Sequence, residues 1–432
     1  MCNLRDKYTV DVAVFGAGPA GLAAAWQAGM SGKKVCLIEV MDRIGGVMGS
    51  CPGMMLGAGY PTGHSVGGFF EEFVQRMCKH NPPVAERRTC SLENFGDEVV
   101  YQHEYATLIL YEMLAEAGVE VILNAVTSNV VTEEDKITKI DVTLINKTLE
   151  VNADIYIDCT GNGEIAHRAG VKSRKGNEEG LMMGVTLTFF MENVDCEKVF
   201  SDPDAPYFET YAEEGIRKGE LHKSIPQIYM LPAFRKNTVF INTVTVTGVD
   251  GTDSYSILAG TITARKRVLQ LGEFLKNNIP GFENSWLTGI GPSVGIRETR
   301  KLEGMYQVTY DDVFNAVKFE DGIVACDNPL DEVFRDENTT HYSHKAALKD
   351  GYYTIPVRAL IPKKIKNLLF AGKCMSVDIK AFASVRGMPQ CMLMGQSVGV
   401  VAQMAIDNNV SVQDVNVKAV SSKMKELGAW GI

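Results

Sequence analysis

Apolar residues occur along the chain in two patterns, and each pattern predicts a different element. Residues 10–15, with Asp11 as the one polar residue, and residues 35–38 are short apolar runs, typical of strands that are buried on both faces. Residues 22–28, which lie between them, are rich in alanine and therefore favour a helix. The order strand, helix, strand predicts the beginning of a parallel sheet with a crossover helix.

The pattern continues between residues 104 and 159. Residues 104–117 have the amphipathic pattern of a helix, and the apolar residues 119–123 follow as a strand. Residues 127–151 alternate as in a hairpin or meander, and residues 154–159 read as a further short strand. The sequence therefore predicts one parallel sheet that is interrupted by an antiparallel meander.

The character of the chain changes after about residue 180. Residues 184–191 and 238–249 predict longer strands rich in threonine and valine, as in an antiparallel sheet with one solvated face. Residues 261–277 predict an amphipathic helix. This stretch predicts a second domain, after which buried core segments return at residues 354–361, 368–371 and 389–406.

Composition and charge narrow the class of protein. The 432 residues are 45% hydrophobic and 22% charged, as in an ordinary globular enzyme. The net charge of −10 and the scattered lysines and arginines argue against a nucleic-acid partner. No run of about twenty apolar residues predicts a membrane span, and the polar first nine residues lack a secretory signal, so we expect a cytoplasmic protein. The ten cysteines form no CxxC pair, which disfavours zinc, iron–sulfur and thioredoxin-like sites.

Three glycines at GxGxxG spacing follow the first predicted strand. Gly16 allows a tight turn, Gly18 removes a side chain where a pyrophosphate must approach, and Gly21 lets the helix pack on the sheet. The start of the helix offers backbone N–H groups and a partial positive charge to phosphates. Glu39, at the end of the second strand, stands where a carboxylate accepts from ribose hydroxyls. This combination predicts a dinucleotide site.

Further motifs occur along the chain in the order in which they occur in a known family. The motifs are Arg43-Ile44-Gly45-Gly46, Asp158-Cys159-Thr160-Gly161, the GIRETR run at 295–300, the YTIPVRALIP turn at 353–362, and the segment 371–399. On these residues the chain resembles the FAD-dependent oxidoreductase family of the glutathione-reductase-like, two-dinucleotide-binding flavoprotein superfamily.

The resemblance implies both the fold and the cofactor, FAD. The expected fold class is α/β: a Rossmann-like FAD-binding domain with a parallel sheet and an antiparallel meander, plus an inserted α+β substrate domain with an antiparallel sheet. The first domain is expected at residues 1–175 and 351–432, and the second, the substrate or cap domain, at 176–350. The resemblance assigns the cofactor to Gly16, Gly18, Pro19, Ala20, Gly21, Glu39, Arg43, Gly45, Gly46, Val126, Thr160, Gly161, Gly372, Met388 and Gln396.

Candidates for catalysis are His64, Arg297 and Arg386. His64 lies in a glycine-dense predicted loop, residues 41–70, and can exchange a proton at neutral pH, although a structural loop histidine is the alternative. Arg386 can stabilise an anionic flavin or a substrate carboxylate, or else form a structural ion pair. Arg297, together with Arg300 and the Glu298 between them, can form a buried salt bridge instead.

Two further candidates have weak support in the sequence. Cys51 lacks the nearby partner cysteine that a redox disulfide needs. His341 and His344 have the spacing of a metal pair, but a solvated loop explains them better, so no metal is expected.

The expected function is a soluble FAD enzyme that moves a hydride between a small organic substrate and flavin N5. Desaturation or reduction of a carbon–carbon bond and oxidation of an alcohol or amine all stay open. The alternatives are a flavoprotein in RNA modification, an electron-transfer subunit, and a non-catalytic FAD-binding scaffold. The electron donor or acceptor and a homo-oligomeric state are left open.

Overall fold

The fold is known from a computed structural model that describes residues 7–51, 53–90, 96–330, 348 and 351–432. His341 and His344 lie outside the described residues. The strands are β1 Lys7–Phe15, β2 Val35–Ile38, β3 Leu56–Gly57, β4 Ala85–Thr89, β5 Asp97–Tyr101, β6 Glu120–Ile122, β7 Val126–Glu133, β8 Lys136–Thr143, β9 Thr148–Asp158, β10 Ser173–Arg174, β11 Val185–Glu192, β12 Met230–Pro232, β13 Thr238–Val246, β14 Trp286–Ile290, β15 Lys301–Leu302, β16 Gly322–Cys326, β17 Tyr353–Pro356 and β18 Leu368–Phe370. The α-helices are α1 Pro19–Met30, α2 Val47–Ser50, α3 Gly68–Lys79, α4 His103–Glu116, α5 Glu164–Arg168, α6 Cys196–Phe200, α7 Glu209–Lys218, α8 Ser254–Asn278, α9 Tyr310–Phe314, α10 Phe382–Val385, α11 Met388–Asn408 and α12 Val417–Glu426.

A seven-stranded sheet combines a parallel part with a meander. Its order is β6-β2-β1-β9-β8-β7, and β18 also pairs with β9. The strands β6, β2, β1, β9 and β18 are parallel, whereas β9, β8 and β7 are antiparallel. This arrangement confirms the predicted α/β class with a parallel sheet and a meander.

The last strand of the meander differs from its prediction. Residues 154–159 were expected to form a separate strand, but β9 runs without a break from Thr148 to Asp158. Its first residues pair with β8, and its last residues, Tyr156 to Asp158, pair with β18. One strand can serve both parts because its last four residues are all buried. The end of the meander is thereby carried directly to the carboxyl edge of the parallel sheet.

The glycine-dense stretch 41–70 is more ordered than a loop. It contains α2 and β3, and α3 already begins at Gly68. The strand β3 joins β5 and β4 in a small antiparallel sheet that the sequence did not indicate. This small sheet stands beside the second domain and contributes to the site described below.

A second antiparallel sheet has the order β12-β13-β11-β14. It confirms the antiparallel sheet that was expected after about residue 180. The long helix α8 packs on it, and Asp253 caps that helix by accepting from the N–H of Ser256 (2.7 Å). A hydrophobic cluster that draws its buried residues from 185–294 is separate from the main core. Among the described helices, none combines the length and hydropathy needed to cross a bilayer.

The packing of the apolar side chains bears on where the second domain, expected at residues 176–350, ends. Val308, Val313, Ile323 and Val324 belong to the main core cluster, and β16 pairs with β17. Residues up to Ile296 pack with the second cluster. We therefore propose that the second domain ends near residue 296, because the chain beyond it buries its apolar side chains in the first domain.

Two helices of the first domain meet through glycine contacts. A Cβ atom on Gly395 of α11 would lie 1.9 Å from the carbonyl oxygen of Ala20 in α1, and one on Gly399 would lie 2.9 Å from that of Ala24. Both positions therefore require glycine. This close contact brings the N-termini of α1 and α11 to the same side of the molecule.

The substitution Gly21→Ala is expected to destabilise the fold strongly. A Cβ atom at Gly21 would lie 1.7 Å from the carbonyl oxygen of Gly16, so the backbone would have to move. We expect a loss of about 3 kcal/mol or more in the free energy of unfolding, measured by denaturant titration. Gly272→Ala in α8 is the matched control, since its nearest neighbour lies at 3.5 Å. It should be neutral or stabilise by about 0.5–1 kcal/mol, as alanine does in helices. Equal effects of the two substitutions would contradict the packing argument.

Candidate functional site

A cavity of about 1600 Å³ lies between the two domains. One part is lined by the carboxyl ends of β1, β2 and β9 and by the N-termini of α1 and α11, and the other by the second antiparallel sheet and α7. Ligand pockets usually measure about 300–1,000 Å³. The cavity is therefore large enough for an extended cofactor and a second small molecule together.

The glycine turn after β1 forms a cradle in the first part of the cavity. Gly16 has a φ of +93°, a conformation that favours glycine, and its N–H donates to the carbonyl of Ile38 (2.7 Å). Gly18 precedes α1 and lies against Gly46: a Cβ atom on Gly46 would lie 2.8 Å from the Cα of Gly18. A Cβ atom on Gly18 itself would meet only this Gly46 Cα, at 3.9 Å, and would otherwise extend into the open cavity.

Glu39 is held at the edge of this cradle. The N–H of Ala17 donates to its Oε2 (2.6 Å) and the N–H of Met41 donates to its Oε1 (2.9 Å). The side chain is buried but lines the cavity. Two backbone donors fix the carboxylate, and the oxygens keep further lone pairs for a ligand.

Asp158 organises the loop on the other side of the cradle. Its carboxylate is fully buried and accepts from the N–H and hydroxyl of Thr160 (3.0 and 2.7 Å) and from the N–H of Ala166 (2.9 Å). Burial raises the pKa of Asp158 above its ordinary value, while these hydrogen bonds oppose the rise. Thr160 and Gly161 are thereby positioned on the cavity wall.

Three basic side chains line the cavity near Gly372: Arg297, Lys373 and Arg386. Arg297 Nε donates to the hydroxyl of Thr186 (3.0 Å), and the guanidinium of Arg386 lies 6.0 Å from the ring centre of Phe382. Lys373 Nζ donates to the carbonyl of Ile296 (2.6 Å). Burial, with a further contribution from the charge of Arg386, lowers the pKa of Lys373 to about 8. Lys373 was not among the residues predicted from the sequence, although it lies inside the motif segment 371–399.

The ion pairs around residues 297–301 differ from those expected. Glu298 pairs with Lys301, and its oxygens accept from the N–H groups of Gly176 (2.9 Å) and Met183 (2.8 Å). Arg300 pairs with Glu164 (3.1 Å). The buried salt bridge therefore uses Lys301, because the side chain of Arg297 reaches the cavity wall instead.

Most of the residues assigned from the sequence lie together on the cavity wall. They are Gly16, Gly18, Pro19, Ala20, Glu39, Arg43, Gly46, Thr160, Gly161, Gly372 and Met388, joined by Arg297 and Arg386. Cys51 also lines the cavity, and burial raises the pKa of its thiol. The assigned set is thus brought to one place by elements far apart in the chain.

Some predicted residues lie outside the cavity lining. His64 is exposed and its ring stacks on Trp430, with 4.5 Å between ring centres, so the structure gives no support to a catalytic role. Gln396 is buried between α3 and α1, accepting from the N–H of Phe69 (2.9 Å) and donating to Gln27 (3.0 Å), which makes it structural. Gly21 and Gly45 support the turn from behind, and Val126 is half exposed at the start of β7.

The far wall of the cavity carries polar side chains that the sequence did not single out. Glu98 of the small sheet is 1% exposed and is paired with Arg88 through its Oε1 (2.8 Å). Asn242 lies in β13 of the second sheet and Tyr229 directly precedes β12 of that sheet. All three of Glu98, Tyr229 and Asn242 line the cavity. In the described part of the chain, no group of three or more His, Cys, Asp or Glu side chains has the arrangement of a metal site.

Comparison with known proteins gives a family match over nearly the whole chain. Residues 11–424 match the family described as FAD dependent oxidoreductase. A segment is 26% identical over 177 residues to digeranylgeranylglycerophospholipid reductase 1 of Methanococcoides burtonii, covering 39% of this chain and 41% of that protein. A shorter segment is 58% identical over 41 residues to ferredoxin–NADP reductase 1 of Cupriavidus pinatubonensis, covering 10% of this chain and 11% of that protein. These matches therefore span less than half of the curated relatives.

Solved structures show the same fold. A geranylgeranyl bacteriochlorophyll reductase-like protein from Thermoplasma acidophilum superposes with a TM-score of 0.51 at 16% identity, covering 98% of this chain and 83% of that chain. The p-nitrophenol 4-monooxygenase PnpA from Pseudomonas putida DLL-E4 superposes with a TM-score of 0.51 at 11% identity, covering 97% and 85%. At these identities the similarity concerns the fold.

Proposed function

The chain belongs to the FAD dependent oxidoreductase family, and from this premise we propose that it transfers a hydride between FAD and a small organic substrate bound under the second sheet. The observation that carries the proposal is the two-part cavity. Its glycine-lined part fits the cofactor, because the space beside Gly18 is open. Its other part belongs to the same cavity and carries polar side chains on its far wall.

FAD, when bound, supplies the two-electron chemistry of hydride transfer. The chain's own residues bind and orient. The first turn of α1 after Gly18 would offer N–H groups to the pyrophosphate, and Glu39 would accept from the adenosine ribose. The N-terminus of α11, at Met388, stabilises negative charge near it. Arg297 and Arg386 add positive charge to the same wall.

Lys373 is the proposed proton-exchanging residue. Its Nζ is fixed by the carbonyl of Ile296 and lines the cavity beside Gly372. A pKa of about 8 lets the amine both take up and release a proton near neutral pH. Its position and its pKa suit removal of a proton from an alcohol or amine. They also suit delivery of a proton to a double bond while hydride adds to it.

Anaerobic reduction of the bound flavin tests the proposal. We expect the purified protein to be yellow and to release FAD on acid or heat treatment. A panel of alcohols, amines and unsaturated acids, with NADH and NADPH included, should contain a compound class that bleaches the visible flavin absorption. If a nicotinamide cofactor alone reduces the flavin, that cofactor is the electron donor. A flavin that no member of the panel reduces would contradict hydride transfer and favour a scaffold.

A further inference from the structure

The far end of the cavity is built where two sheets meet. Arg88 of β4 joins them: its Nε donates to Glu98 Oε1 in β5 (2.8 Å), and its Nη2 donates to the carbonyl of Pro232 in β12 (2.6 Å). The second domain is thus attached to the small sheet at this point. The same arginine fixes the orientation of the Glu98 carboxylate.

Three polar atoms at this junction are buried without a hydrogen-bond partner in the described part of the chain: Glu98 Oε2, the Tyr229 hydroxyl and Asn242 Oδ1. Tyr229 and Asn242 are neighbours, since the N–H of Asn242 donates to the carbonyl of Tyr229 (3.1 Å). Glu98 lies close enough to Tyr229 for its charge to contribute, after burial, to raising the pKa of the phenol. All three side chains line the cavity.

Buried polar atoms are costly unless they form hydrogen bonds, and native proteins retain few of them. Several such atoms on the wall of one cavity are therefore best explained by a ligand that forms the missing hydrogen bonds. Glu98 Oε2 and Asn242 Oδ1 only accept hydrogen bonds, whereas the Tyr229 hydroxyl can accept or donate. The ligand group that suits the cluster presents N–H or O–H donors.

We infer that Glu98, Tyr229 and Asn242 form a substrate-recognition subsite for a hydroxyl or amine group. The inference rests on the proposed function, since it assigns the substrate class of the same cavity. The subsite argues against a wholly hydrocarbon substrate, because an isoprenoid chain in this position would leave the three atoms without hydrogen bonds. Sites built to bind a donor group discriminate strongly against analogues that lack it.

Binding of three isosteric probes to the FAD-loaded protein tests the inference. Benzyl alcohol, benzylamine and ethylbenzene differ only in the terminal hydroxyl, amine or methyl group, and binding is measured from the perturbation of the oxidised flavin spectrum. We expect the alcohol or the amine to bind at least about tenfold more tightly than ethylbenzene, because ethylbenzene leaves buried acceptors unpaired. The stronger of the two identifies the donor class.

The variant Glu98→Gln should remove this preference, because the amide replaces an acceptor oxygen with a donor. Glu213→Gln is the matched control, since Glu213 also lines the cavity but is exposed. Tyr229→Phe and Asn242→Leu test the same subsite if Glu98→Gln does not fold. Equal affinities of the three probes, no binding by the alcohol and the amine, or a preference that survives in all subsite variants would each overturn the inference. Flavin bleaching is a separate readout, so failure of hydride transfer is distinguishable from failure of the subsite.

Discussion

Gly18→Val is expected to weaken FAD binding strongly while the protein keeps its fold. The two effects separate because of the surroundings of Gly18: a Cβ atom there meets the Gly46 Cα at 3.9 Å, an ordinary contact, and otherwise enters the cavity. Its φ of −77° is open to any residue. The space that the valine fills is the space proposed for the pyrophosphate. We expect at least about a hundredfold loss of FAD affinity, of the order of 2.7 kcal/mol or more.

Titration of the apoprotein with FAD, followed by flavin fluorescence, measures this loss. Gly18→Ala should give a smaller loss in the same direction, because its side chain is shorter. Circular dichroism of the apoprotein should match the wild type for both variants. This distinguishes Gly18 from Gly21, where the added atom strikes backbone at 1.7 Å and the fold itself suffers. Unchanged flavin content in Gly18→Val would show that the pyrophosphate lies elsewhere.

The cradle was predictable because its signals are local. The strand β1, the turn at Gly16 and the helix α1 follow one another in the chain, and each has a distinct composition. The buried strands of a parallel sheet are nearly continuous apolar runs, so their positions could be recognised without knowing their neighbours. For this reason, the elements that hold Gly18 and Glu39 were predicted within a few residues.

The far wall was not predictable because it depends on tertiary packing. The strand β4, with the sequence AERRT, is mostly exposed and carries no apolar pattern. Glu98 is one of 53 acidic residues. Only its burial and its pairing with Arg88, which itself donates to β12, distinguish it. His64 shows the opposite case: its loop suggested chemistry, but stacking on Trp430, far away in the sequence, holds it outside the cavity. Burial and partners, rather than residue type, decide these roles.

Lys373→Met is expected to slow reduction of the flavin by substrate about a hundredfold above pH 8, the size of effect that loss of a general base produces. The reason is the position of Lys373 on the cavity wall. There its amine can receive the proton that the substrate's hydroxyl or amine group loses as hydride departs. Stopped-flow absorbance under anaerobic conditions measures the rate. Lys363→Met is the matched control, since Lys363 is exposed and pairs with Glu303 (2.7 Å).

The rate of flavin reduction should change with pH as Lys373 gains or loses its proton. The pKa of Lys373 is lowered to about 8, mainly by burial, so the amine is protonated below that pH and neutral above it. A neutral amine accepts a proton, and therefore the wild-type rate of flavin reduction should rise through about pH 8 and then level off. The reverse reaction, which needs the ammonium as proton donor, should fall over the same range. Since the unfolded chain binds this proton up to a higher pH than the folded chain, the contribution of Lys373 alone to the free energy of unfolding should rise with pH above about 8. Lys373→Met should lose the inflection in both rates, whereas Lys363→Met should keep it, and an inflection that persists in Lys373→Met would assign the proton to another residue.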